Sequence, residues 1–118
     1  MKIINSVQLH VFQLMKAASF NNFDGDLVAD NLMSWRERWD GVIFTDDNQG
    51  NGLTLRDIEH NYWHADTMYI KTTSVYADAL LADIALNWNA SDAEIISSPK
   101  EFLMEFEGDL AVIRVWWD

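Results

Sequence analysis

Residues 59–66 read EHNYWHAD and hold two of the chain's three histidines next to two acids. If a helix runs over 54–65, Asp57, His60 and His64 fall at i, i+3 and i+7 and share one face. Two imidazoles and a carboxylate are the ligand types of a catalytic zinc or another first-row metal. Asp66 then serves as a further ligand or as a partner to a ligating imidazole. The pattern is not that of the zinc proteases, which place a Glu directly after the first His; Asn61 stands there. Glu59 lies about 100° round a helix from His60 and cannot orient it. The competing reading makes these groups the wet rim around an anchored Trp63, and that is the reading preferred.

Other chemistry is sparser still. The run DDNQGNG resembles a calcium loop only until its register is checked. With Gly52 as the central glycine, Asp47, Gln49 and Asn51 take the early ligand positions. The closing position then falls on Ile58, where a bidentate carboxylate is required. A polar turn is the simpler reading. Cysteine is absent, so there is no thiolate nucleophile and no disulfide framework. No nucleophile elbow, phosphate-cradling glycine loop or dinucleotide fingerprint occurs. The carboxylates are numerous but unpatterned, so no catalytic residue is nominated and no cofactor is expected.

Charge and aromatics say more. The 118 residues carry 19 acids against eight bases, a net charge of −11. Such a chain repels phosphate backbones and anionic membranes, so direct nucleic-acid and membrane binding are not expected, and a basic protein surface becomes the natural partner. Six Trp, at 35, 39, 63, 88, 116 and 117, together with Tyr62, Tyr69 and Tyr76 exceed what one small core easily hides. They could build a Trp-rich core, anchor a protein interface or cage an organic cation with help from a carboxylate. Trp35, Trp39, Tyr62 and Trp116, with Glu37 and Glu59, are the candidate binding residues on that view. No apolar run is long enough to span a bilayer, and polar residues break the first sixteen positions, which argues against a secretory signal. A cytoplasmic location is the expectation.

Those residues need elements to position them. Over 5–19, a stripe of Ile4, Val7, Val11, Leu14, Met15 and Ala18 favours a helix over a strand, with Asn5 as cap. Asp24 or Asp26 starts a second helix, on which Val28, Leu32, Trp35 and Trp39 recur before Gly41. Val42-Ile43-Phe44 suggests a strand and Met68 to Lys71 another. Residues 74–88 predict a helix burying Ala77, Leu80, Leu81, Ile84 and Trp88, capped by Thr73 or Ser74. Glu94-Ile95-Ile96 suggests a short strand, and Pro99 opens a helical turn through Phe102 to Phe106. The segment 109–117 predicts a strand apolar on both faces, interior or at an interface, with Trp117 turned into the core and Trp116 away from it. The fold class is α+β: a single domain over 1–118, with three to four short strands against three to four helices.

The resulting profile, small, acidic, aromatic and free of Cys, is shared by many inhibitors, immunity proteins and accessory proteins, a likeness of composition only. The leading expectation is a non-enzymatic interaction protein that binds a cationic protein surface, with a homodimer through Trp116 as a further outcome. A small-molecule domain with an acidic aromatic pocket for organic cations is the alternative. A metal-dependent enzyme built on His60 and His64 comes third.

Overall fold

Asn5 and Asp24 begin the first two helices through their side chains. Asn5 Oδ1 accepts from the Gln8 amide at 2.9 Å and opens α1, Ser6–Ala17. Asp24 accepts from the Leu27 amide at 3.2 Å and opens α2, Gly25–Ser34. These bonds satisfy amides that have no partner inside the helix, and the carboxylate suits the positive end of the dipole. The computed structural model describes residues 2–18, 22–45, 58–61, 63 and 65–118. Asp47 through Asp57, Tyr62 and His64 lie outside the described residues, and with them the DDNQGNG turn.

The expected helix forms over Ser6–Ala17, and its buried face is the expected one in part: Met15 and Ala18 are buried and Ile4 and Val11 pack on the core. Gln8, Phe12 and Met15 turn inward, whereas Val7 is 73% exposed and Leu14 49%. Tertiary contacts select that face: Phe12 meets the edge of Trp39 at a 5.8 Å centroid distance, and Gln8 reaches the sheet. The second helix stops at Ser34, before Trp35 and Trp39. A 3-10 turn, Arg36–Arg38, follows, and Trp39 is extended at φ −142°.

The remaining elements are β1 (Gly41–Thr45), β2 (Thr67–Thr72), α3 (Ser74–Asn87), β3 (Asp92–Ile95), α4 (Pro99–Leu103) and β4 (Ala111–Trp116). Thr73 occupies the N-cap position of α3, although its side chain makes no capping bond. The turn opened by Pro99 ends at Leu103 and does not reach Phe106, because Met104 is left-handed at φ 57°. Among the described residues there are thus four helices and one antiparallel sheet of order β1-β2-β4-β3, an α+β fold. The C-terminal strand is interior, paired with β2 on one side and β3 on the other.

Strand alternation divides the sheet into two faces. Val42, Phe44, Met68, Ile70, Ile113 and Val115 point to the helices and are buried. From α3, Ala77, Leu80 and Ile84 meet them; Leu81 is only half-buried, a departure from the expected face that reflects its position beside the sheet edge. Trp117 enters the core as the alternation predicts. The surplus of Trp is largely absorbed in this layer. Trp35 stacks on Trp88 at 5.6 Å, Trp88 on Trp117 at 6.2 Å, and Trp117 meets Phe23 at 4.8 Å. Phe23 in turn stacks on Phe44, whose ring meets Trp63.

Two contacts join the helices tightly to this layer. The Gln8 amide pairs with both backbone groups of Val42, donating to its carbonyl at 2.8 Å and accepting from its N–H at 2.9 Å. A side chain of α1 therefore takes the place a neighbouring strand would occupy on the outer edge of β1. At Gly25, an added Cβ would stand 2.1 Å from the Met15 carbonyl oxygen, so α1 and α2 approach as closely as they do only because that side chain is missing.

Candidate interaction surface

The face of the sheet opposite α1, α2 and α3 mixes exposed side chains with covered ones, Thr67 and Val112 being fully buried. Register places Ile43, Tyr69, Arg114 and Glu94 across its middle row. Thr45, Thr67, Trp116 and Asp92 form the next row. Ile43 is 55% exposed; Tyr69 and Trp116 are half-buried, as expected for rings lying on an incompletely covered sheet. Among the described residues, only α4, a single helical turn, overlies part of this face. Phe102 brings its ring to 5.0 Å from Tyr69, and Lys71 Nζ bonds both carboxylate oxygens of Glu105 at 2.8 Å. Between α4 and the strands lies a groove of about 260 Å³, lined among others by Ile43, Tyr69, Phe102 and Val112.

Its surroundings are acidic. Between positions 92 and 109 stand six carboxylates (Asp92, Glu94, Glu101, Glu105, Glu107 and Asp109) against one lysine, Lys100, and all of them are exposed. Phe102, Met104 and Phe106 are exposed within the same stretch. Apolar and aromatic groups inside a polar, charged border are the composition of a protein–protein contact.

Of the binding residues singled out from the sequence, Trp35, Glu37 and Trp39 lie on one segment, Trp116 and Glu59 on others, and Tyr62 lies outside the described residues. Trp39 is wholly buried; its indole N–H donates to the Leu32 carbonyl at 2.8 Å, and it offers no surface to a partner. Trp35 is half-buried against Trp88. The chain's own cations occupy both rings: Arg36 lies 4.1 Å from the Trp39 centroid and Arg38 5.2 Å from that of Trp35. Glu37 is exposed beside them and accepts from the Lys2 backbone N–H at 3.0 Å. Trp116 is on the other side of the sheet.

The histidine stretch does not form the expected helix. Its described part is a 3-10 turn, Ile58–His60, followed by Asn61 at φ 60°, a left-handed residue that ends helical continuation. Helical continuation past His60 is therefore interrupted at Asn61. His60 and Glu59 are both strongly exposed, with 3.7 Å between His60 Nε2 and Glu59 Oε1. Trp63 is half-buried and donates its indole N–H to the Leu14 carbonyl, the anchored Trp of the preferred reading. No group of three or more His, Asp or Glu suited to a metal occurs among the described residues; Asp57 and His64 lie outside them.

No family model, curated protein or solved structure matches the chain. Ile43, Tyr69, Phe102, Asp92 and Glu94 were not nominated from the sequence, although a signal existed. Ile43 is the middle of an apolar triplet whose neighbours both turn inward, so alternation alone puts it outside. No helix among the described residues is long and apolar enough to cross a membrane.

Proposed function

We propose that this chain is a non-enzymatic interaction protein that docks its outward sheet face on the basic surface of another protein. One observation carries this reading: a sheet face bearing Ile43, Tyr69 and Trp116, overlaid among the described residues by one short helix and bordered by exposed carboxylates. The aromatic and aliphatic groups supply area to bury, and the carboxylates choose the sign of the partner. A net charge of −11 adds long-range attraction for such a partner and speeds encounter at low salt. An organic-cation cage has weaker support, since Arg36 and Arg38 already lie over Trp39 and Trp35.

The test compares capture from a cell extract by the wild-type protein and by Ile43→Lys, which changes an exposed residue and should leave the fold intact. The reading expects a protein of high isoelectric point, retained by the wild type, released as salt is raised and absent from the variant. Equal capture by both proteins would refute it, as would a retained partner indifferent to salt. Sedimentation of the purified protein separates the second outcome, a two-fold dimer through the same face. A dimer that Ile43→Lys or Trp116→Glu returns to monomer would transfer the surface from a foreign partner to a second copy.

A further inference from the structure

The two edges of the sheet are finished differently. On β1, the Gln8 amide saturates the outward N–H and carbonyl of Val42. On β3, no described residue does the same. The bond from the Ile96 N–H to the Val112 carbonyl sets the phase of the ladder with β4. Asp92 and Glu94 therefore spend their backbone groups on β4, while those of Ala93 and Ile95 point away from the sheet. Beside this edge runs a groove of about 450 Å³, floored by Leu81, Ala82 and Ala85 of α3 and by Ala93, with Asp78 and Asp92 at its rim.

We propose that this groove receives an extended segment of a basic protein, which adds to β3 as a fifth strand; the proposal rests on the reading of the chain as an interaction protein and names the form its partner takes. The backbone of the segment would bond Ala93 and Ile95, the standard mode of strand addition to an open edge. Its side chains would alternate. Those on the helix side enter a floor of alanines and one half-buried leucine, which accepts small or β-branched apolar groups. Those on the outward side stand directly across from Asp92 and Glu94, where opposite charge stabilises and like charge repels. The segment is thus read as basic, apolar, basic along its length.

A second copy of β3 is a poor occupant for the same reason. Outward residues must face outward residues, so antiparallel self-pairing centres on Ala93, on Glu94 or on Ile95. The first centre sets Asp92 across from Glu94, and the second sets Glu94 across from itself. Only the third avoids opposed carboxylates, and it leaves Asp92 beyond the end of the paired segment. Charge at this edge therefore selects a foreign, basic strand over self-association.

The test uses a short capped peptide alternating Lys with Val, and a second of identical composition in scrambled order. Hydrogen exchange and amide chemical shifts report the site: the alternating peptide should protect Ala93 and Ile95, and the scrambled one should not. Ala93→Pro withdraws the outward N–H and leaves the Asp92 and Glu94 bonds to β4 in place, since proline is tolerated on an outward-facing edge. It should weaken the alternating peptide by roughly tenfold. Should that variant fold poorly, Asp92→Asn with Glu94→Gln preserves the backbone and should weaken binding and flatten its salt dependence. Equal affinity for both peptides, unchanged binding in Ala93→Pro, or protection mapped elsewhere would overturn the proposal. Failure here, with capture of a basic protein still lost in Ile43→Lys, leaves the broader reading standing. Absence of capture by the wild type removes that reading itself.

Discussion

Leu80 and Leu81 are adjacent on α3 and meet different surroundings. Leu80 is wholly buried beneath the sheet, while Leu81 is half-buried and floors the groove beside β3. Leu80→Ala should cost about 2–5 kcal/mol, the range for truncating a buried leucine where neighbours cannot close the cavity. Leu81→Ala removes less area from contact and should cost roughly 1–2 kcal/mol. Urea unfolding of the two variants measures the difference. Equal costs would mean that Leu81 is as enclosed as Leu80 and that the groove is shallower than described. A helical stripe drawn from the sequence gives both residues to the core, because periodicity locates a face to within one residue and does not see where the sheet ends.

At the scale of elements, the junction of α1 and α2 is the most constrained. Gly25 has no room for a side chain against the Met15 carbonyl. Gly25→Ala should therefore destabilise by about 1–3 kcal/mol through overpacking, despite alanine's better helix propensity. Thermal unfolding checks the sign, and a stabilised variant would show that the two helices can separate freely. Much of this level was readable in advance. Asn5 and Asp24 announce their helices by residue type, Pro99 opens a turn, and alternation sends Trp117 inward and Trp116 outward. The place of Gln8 in the buried face of α1 was not readable, because Gln8 counts as polar in any stripe and its reason for being inside is an unpaired strand edge elsewhere in the chain. In its described part, the helix expected over 54–65 does not continue for a local reason, the left-handed Asn61. The candidate surface was largely hidden, since it depends on which strands pair and on α4 being too short to cover them.

For the whole molecule, a charge of −11 makes salt the informative variable. Repulsion among carboxylates opposes the compact state, so the unfolding midpoint should rise as salt increases from low to physiological strength. Calorimetry at two ionic strengths tests this, and a midpoint that falls would mean that ion pairs such as Lys2–Asp40 and Arg38–Asp83 outweigh the net repulsion. Association divides by the same variable. Binding of a basic partner should weaken with salt, whereas contact between two copies should strengthen.

The Gln8–Val42 pairing has a consequence for how the protein fails. The two residues are 34 positions apart, so this closure exists only while α1 is folded and docked. When α1 detaches, as in sub-global opening, β1 is left with an unprotected edge carrying GVIFT, a segment of high strand propensity without charge or proline. Detachment of α1 alone is then enough to expose an aggregation-prone edge. Gln8→Met, which keeps length and loses both bonds, should accelerate amide exchange at Val42 and speed aggregation on heating well beyond what its loss of stability alone would produce. Adding a lysine at Ile43 in the same chain should suppress the aggregation without restoring the protection.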